Sequence, residues 1–256
     1  MVAQHDREAS AKPARAGTKS ATLLAQAEQR AAALELGAPV AIRINPRARR
    51  LLLRIDAAAR QVELVLPRGV AAERGLTFLV AQRGWIAARL AALPEPVPFA
   101  EGAVVPILGV PHVIRREAET AASPVAIAGG EIRVKGDPRH LPRRVRDHLA
   151  RLAAGELAHR ARACALRIDR PIVRIAVRDT KSRWGSCSAA GSLSFSWRLV
   201  MAPEPVIDYV VAHEVAHLVE MNHGPRFWRL VRTLVGDTAA PRAWLKRNRN
   251  RLFSYG

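Results

Sequence analysis

The amino-acid sequence predicts an α+β fold, because strand-like and helix-like patterns occupy successive stretches of the chain. Short runs with β-type alternation occur within residues 39–67, 103–115 and 125–135. Longer stretches with apolar residues at helical spacing follow at 141–166 and 203–221. A chain of 256 residues is long enough for one or two domains with ordinary hydrophobic cores.

Three segments are expected along the chain. Residues 1–38 form an N-terminal tail that is disordered or partly helical, since only 21–36 has the composition of a helix. Residues 39–140 form a small β-rich mixed module. A further domain, with a small sheet and several helices, spans 141–256.

The module over residues 39–140 is expected to begin with strands. Runs at 40–44, 49–55 and 61–67 are rich in Val, Ile and Leu, and the turn-like DAAAR between the last two predicts a hairpin. A helix is predicted over 71–92, where a proline-rich stretch ends it. Two further β-like runs complete the module.

The last domain is expected to alternate helices with a few strands. Its first helix is basic and amphipathic, and Pro203 suits the first turn of the helix that carries the most informative motif. The predicted elements are a helix at 141–166, strands at 172–178 and 192–199, and helices at 203–221, 225–235 and 240–251.

The formal charge of +19, from 41 Lys and Arg against 22 Asp and Glu, suggests a polyanionic partner. Most of this charge lies in residues 141–256, and the basic runs at 47–54 and 242–251 could bind the phosphates of nucleic acid or a nucleotide. A composition that is rich in Arg throughout is the alternative explanation. Nucleic-acid binding therefore stays a hypothesis.

The sequence also predicts the environment of the protein. No run of about 18 apolar residues predicts a membrane span, and the first thirty residues lack the apolar core of a secretory signal. Two cysteines, Cys164 and Cys187, are too few for a disulfide framework. We expect a cytoplasmic protein that does not bind membranes; its oligomeric state is not predicted.

The segment HEVAH, residues 213–217, predicts a metal site. On a helix, His213 and His217 are four residues apart and point to the same side, where both imidazoles can bind one Zn²⁺. Glu214 follows the first histidine and can accept a proton from a water molecule on the metal. This H-E-x-x-H pattern is typical of metallopeptidases.

His223 is the expected third ligand. A continuous helix would place it about 80° around the axis from His217, so the helix must turn first, and Asn222 and Gly224 favour such a turn. Three histidines with one open position are typical of catalytic zinc. His112, His140, His148 and His159 share no spacing with this motif, and we interpret them as surface or core-capping residues.

The run from Ser182 to Trp228 resembles the YgjP-like metallopeptidase family, which is related to the SprT-like and WLM zincins. The resemblance implies a zincin-like domain, in which a small sheet packs on an active-site helix. It also implies that His213, His217 and His223 bind the metal and that Glu214 is the general acid and base. Metzincins share the histidine spacing but have glycine where this chain has Glu220, so a metzincin-type turn is not implied.

Arg183 and Trp184 belong to the same family pattern and are candidate substrate-binding residues. Arg183 could bind an oxyanion or phosphate, and Trp184 could form a wall of the cleft. A surface charge and a core side chain are the alternatives for this pair. Glu220 is expected to be a solvated helix residue, or else a carboxylate that orients one histidine.

The sequence thus favours a zinc-dependent hydrolase, in first place a metallopeptidase that cleaves peptides or proteins with water activated by Glu214. A metal-dependent hydrolase of nucleoside triphosphates is the first alternative, because the catalytic half is basic. A nucleic-acid-associated protease of SprT-like type is the second alternative.

Overall fold

The computed structural model describes residues 15–57, 59–117, 124–180 and 183–256, with side chains from residue 24 onward. Contacts divide the chain into two compact units, Met1–Ala92 and Leu93–Gly256. Both units mix helices with small sheets, so the predicted α+β class is confirmed. No helix in the described part of the chain is long and apolar enough to cross a membrane.

The described residues of the first unit form a three-stranded sheet and three helices. The central strand β3 pairs in parallel with β1 and antiparallel with β2, which is the predicted hairpin. Its elements are α1 (Arg15–Ala32), β1 (Val40–Asn45), β2 (Leu52–Asp56), β3 (Gln61–Pro67), α2 (Ala72–Ala81) and α3 (Arg83–Ala91).

The N-terminal segment is helical from residue 15 and packs on this sheet. Ala27 and Ala31 of α1 are buried, and the Glu28 carboxylate accepts a hydrogen bond from the backbone N–H of Ile42 at 2.8 Å. Disorder is predicted for residues 1–20, but residues 15–20 belong to α1, and residues 1–14 lie outside the described residues. The helix predicted over 71–92 is in fact two helices, which meet at Gln82.

The second unit contains the elements that build the candidate site. Its four-stranded sheet has the order β4-β5-β7-β6, and its three-stranded sheet has the order β8-β10-β9. The strands are β4 (Val104–Ile107), β5 (Val110–Glu117), β6 (Val125–Ala128), β7 (Glu131–Lys135), β8 (Arg174–Arg178), β9 (Gly185–Cys187) and β10 (Ser192–Ser196). The helices are α4 (Leu141–Leu166), α5 (Glu204–Ala216), α6 (Pro225–Val235) and α7 (Ala239–Phe253).

One hydrophobic core joins these elements of the second unit. The buried stripe of α4, with Leu149 and Leu157 fully buried, shares this core with Ile114 and Ile132 of the four-stranded sheet. The two sheets of the module predicted over 39–140 therefore belong to different units, because the second sheet buries its apolar face together with α4. The predicted bounds of α4 agree with the structure.

Two elements end three or more residues before the predicted position. The strand predicted over 192–199 ends at Ser196, and a 3-10 helix, Trp197–Met201, follows it. The helix predicted to reach Met221 ends at Ala216. The second difference bears directly on the candidate site.

Candidate metal centre

Helix α5 holds the metal motif in a fixed position because most of its side chains are apolar and buried. Nine of its thirteen residues are buried, so it is packed on several sides within the second unit. Arg160 of α4 fixes its first turn, since the guanidinium binds Asp208 at 2.6 Å and Glu204 at 2.8 Å. The position of the motif is thereby set by packing as well as by helix geometry.

The three histidines predicted as ligands come together. The Nε2 atoms of His213 and His223 are 3.1 Å apart, and one ring nitrogen from each of His213, His217 and His223 lies within 4.8 Å of the other two. Nitrogen ligands at about 2.05 Å from a tetrahedral zinc are separated by about 3.3 Å, so this arrangement fits one shared metal ion. It is the one such His, Cys, Asp or Glu cluster among the residues that the structure describes.

A turn directly after α5 allows His223 to reach this cluster. His217 caps the helix, and the backbone N–H groups of Leu218 and Val219 bond to Val215 and Ala216 in short turns. The Nδ1 atom of His217 is 3.0 Å from the backbone carbonyl of Glu220. As a donor to that carbonyl, Nδ1 carries the proton and leaves Nε2 free for a metal.

The backbone of Glu220 thus orients a histidine, a role that the sequence suggests for its side chain. The carbonyl of Glu220, and not its carboxylate, orients His217. Sequence reasoning could not identify this contact, because it depends on the helix ending one turn earlier than its apolar pattern indicates.

Phe227 and Trp228 pack against the histidines. The fully buried ring of Phe227 lies 4.9, 4.6 and 4.7 Å, between centroids, from His213, His217 and His223. This aromatic contact restricts the ring orientations of all three histidines.

The surroundings favour the neutral form of two of these imidazoles, which is the form that binds metals. Burial, together with the smaller effects of the charges of His217, His223 and Arg242, lowers the pKa of His213 to about 4. Burial is also the main reason for the lowered pKa of His217. Neutral nitrogens are therefore available at pH 7 without prior deprotonation.

Glu214 is buried beside the cluster, with 7 % of its surface exposed. Burial raises the pKa of its carboxyl to about 7, against the opposing effect of the Arg183 charge. Gly185 of β9 lies directly against it, since a Cβ atom at that position would be 2.5 Å from Cγ of Glu214. The carboxyl group is thus held between the helix and the strand, and it can both accept and release a proton near neutral pH.

The other two predicted site residues have different surroundings. Arg183 is exposed, and its charge acts on the Glu214 carboxyl. Trp184 is half-buried and stacks on Phe253 of α7, with the ring centroids 5.0 Å apart. The structure thus gives Trp184 a packing contact and leaves Arg183 accessible. Cys187 is half-buried, and burial together with Glu214 raises the pKa of its thiol.

Sequence reasoning placed Arg242 only in a basic run, whereas the structure places it at the histidines. Its guanidinium lies over the ring of Trp228, 4.9 Å from the centroid, and its charge lowers the pKa of His213. No sequence signal connects Arg242 with His213, because the whole of α6 lies between them along the chain.

Comparison with known proteins gives a family and one weak structural similarity. The sequence model of the YgjP-like metallopeptidase domain matches residues 49–248. The crystal structure of the metallopeptidase zymogen jannalysin of Methanocaldococcus jannaschii shares 18 % identity, over 37 % of this chain and 94 % of that chain. Its TM-score of 0.31 is too low to establish a shared fold. No curated protein matches the sequence.

Proposed function

The chain belongs to the YgjP-like metallopeptidase family, and from this premise we propose that it is a zinc-dependent peptidase with Glu214 as general acid and base. The observation that carries the proposal is the convergence of His213, His217 and His223 next to a buried carboxyl group. A zincin-like arrangement, with the β8-β10-β9 sheet beside the active-site helix α5, is part of the same proposal.

The three histidines would hold the metal through one nitrogen each. When bound, Zn²⁺ would polarise the peptide carbonyl and acidify a water molecule at its open position. His217 keeps its metal-binding nitrogen free by donating Nδ1–H to the Glu220 carbonyl. Phe227 excludes water from one side of the histidines.

Glu214 would move the protons of the reaction. In its ionised form it takes a proton from the attacking water, and in its protonated form it passes that proton to the leaving amine. A pKa of about 7 makes both forms accessible at neutral pH. Its position against Gly185 limits the side chain to few orientations.

Parallel measurements on wild type, Glu214→Gln and His213→Ala test this proposal. We expect about one zinc per chain in wild type and in Glu214→Gln, and a loss of about 10²- to 10⁴-fold in peptide turnover for Glu214→Gln. His213→Ala should lose both zinc and turnover. Glu95→Gln, which changes an exposed carboxyl group, is the matched control and should resemble wild type.

A nucleotide substrate is the second candidate, favoured by the exposed Arg183 whose charge reaches Glu214. The same variants are therefore assayed for phosphate or pyrophosphate release from nucleoside triphosphates. Release that depends on Glu214, without cleavage of any peptide, would replace the peptidase proposal. The absence of bound metal from carefully purified wild-type protein would contradict both candidates.

A further inference from the structure

Arg242 lies next to the histidine cluster, with the ring of Trp228 between them. Its guanidinium carbon is 4.9 Å from the ring centroid of Trp228, and that ring is 5.8 Å from the His213 ring and 5.9 Å from the His223 ring. The side chain of Arg242 is exposed. Through the Trp228 ring, an exposed cation is therefore positioned near the histidines.

Nothing in the described part of the second unit neutralises this charge. No described carboxylate forms an ion pair with Arg242, although many arginines of the chain have such partners. Arg242 also lies in the first turn of α7, where the helix dipole disfavours a cation. Helix stability therefore does not account for an arginine at this position.

Stacking on Trp228 leaves the guanidinium able to bind an anion. An arginine over an aromatic face keeps the edge of its planar fork free for hydrogen bonds. Glu214, the carboxyl group beside the histidines, is buried.

We propose that Arg242 is a specificity-determining residue that binds a carboxylate of an acidic peptide substrate beside the histidine cluster. This assignment rests on the proposed peptidase function. Arginine suits a carboxylate because two parallel N–H groups match its two oxygens. An anion held by Arg242 would lie next to the histidines and would therefore belong to the molecule that binds at the metal site. For a peptidase that molecule is a peptide, so a peptide carboxylate is favoured over nucleic acid.

Two pairs of matched probes test the assignment. The first pair consists of fluorescence-quenched peptide pools that fix either Asp or Asn at each position in turn, and it gives kcat and KM separately. The second pair consists of hydroxamate-capped dipeptides with Asp or Asn, whose binding to the zinc-loaded protein is measured by calorimetry without turnover. Wild type should prefer Asp over Asn by about 10- to 100-fold in both assays.

The variants separate recognition from structural support. Arg242→Gln should abolish the preference because it weakens the Asp probes much more than the Asn probes, and the zinc content should stay unchanged. Arg242→Lys, which keeps the charge but not the fork, should retain part of it. Arg247→Gln removes another exposed arginine of α7, turned by about 140° around the helix, and should keep the full preference.

Each outcome bears on the assignment. Equal binding of Asp and Asn probes by wild type, or an equal loss for both in Arg242→Gln, would overturn it. Binding of oligothymidylate that requires Arg242, without any Asp preference, would also overturn it and assign this surface to nucleic acid. If no peptide is cleaved but the hydroxamates show the Arg242-dependent preference, the peptidase function fails and the carboxylate site stands.

Discussion

Gly185 offers the smallest substitution that tests the role of Glu214. An added Cβ atom would lie 2.5 Å from Cγ, 2.7 Å from Oε1 and 2.8 Å from Cδ of Glu214. Carbon atoms in contact prefer separations of about 3.5–4.0 Å, so Gly185→Ala must shift the carboxyl group or β9 by about 1 Å. A misplacement of that size in a reacting group lowers turnover by about 10²-fold.

The expected effect on stability is modest, which makes the two effects separable. Overpacking of this kind lowers the free energy of unfolding by about 1–3 kcal/mol. The histidines should keep their positions, because Phe227 and the turn after α5 hold them independently of β9. Gly185→Ala should therefore bind about one zinc per chain, remain folded and lose activity.

Peptide turnover, zinc content by mass spectrometry and thermal unfolding are measured on the same preparations. Gly155→Ala is the matched control, because its added Cβ meets nothing within 4 Å and it lies in helix α4. The control should be fully active and more stable by about 0.5–1 kcal/mol. Full activity of folded, zinc-loaded Gly185→Ala would refute a catalytic Glu214 in this position, and joint loss of zinc and activity would attribute the effect to the histidines.

Two further predictions concern the metal ligands and the dependence of stability on pH. Glu220→Gln should bind zinc within about twofold of wild type in a chelator competition, because the backbone carbonyl orients His217; a tenfold loss would instead implicate the carboxylate. In metal-free protein, Glu214 with a pKa raised to about 7 favours folding as the pH falls, whereas His213 with a pKa lowered to about 4 disfavours it. The free energy of unfolding, measured with urea, should fall relative to wild type for Glu214→Gln as the pH is lowered from 6.5 to 4.5. For His213→Gln it should rise relative to wild type over the same range, and each change should be at most about 1.4 kcal/mol per pH unit. Profiles of stability against pH that run parallel to that of wild type would contradict these assignments.

The sequence predicts best those features that depend on neighbouring residues. Helix α4 was predictable because its buried positions recur at helical spacing, and the β2–β3 hairpin because a short polar turn separates two apolar runs. The break between α2 and α3 at Gln82 was not predictable, since the nearest glycine, Gly84, lies inside α3 and no proline interrupts the pattern. The early end of α5 was likewise hidden, because apolar residues continue beyond Ala216.

The candidate site shows the same difference between local and distant contacts. The spacing of His213 and His217 predicts that both face one side of a helix, and the structure brings them together with His223. The approach of Gly185 to Glu214 and of Arg242 to Trp228 depends on the packing of separate elements, which no spacing encodes. Sequence motifs therefore predict a metal site more readily than the groups that surround it.

This difference separates two properties of the site. The proposed metal ligands come from one short segment, so metal binding should persist in variants that change the elements around it. The position of the Glu214 carboxyl group depends on Gly185 of β9, and the charge beside the histidines depends on Arg242 of α7. A chain that keeps the histidine motif but replaces Gly185 should thus bind zinc with little turnover, whereas one that replaces Arg242 should turn over with altered substrate preference.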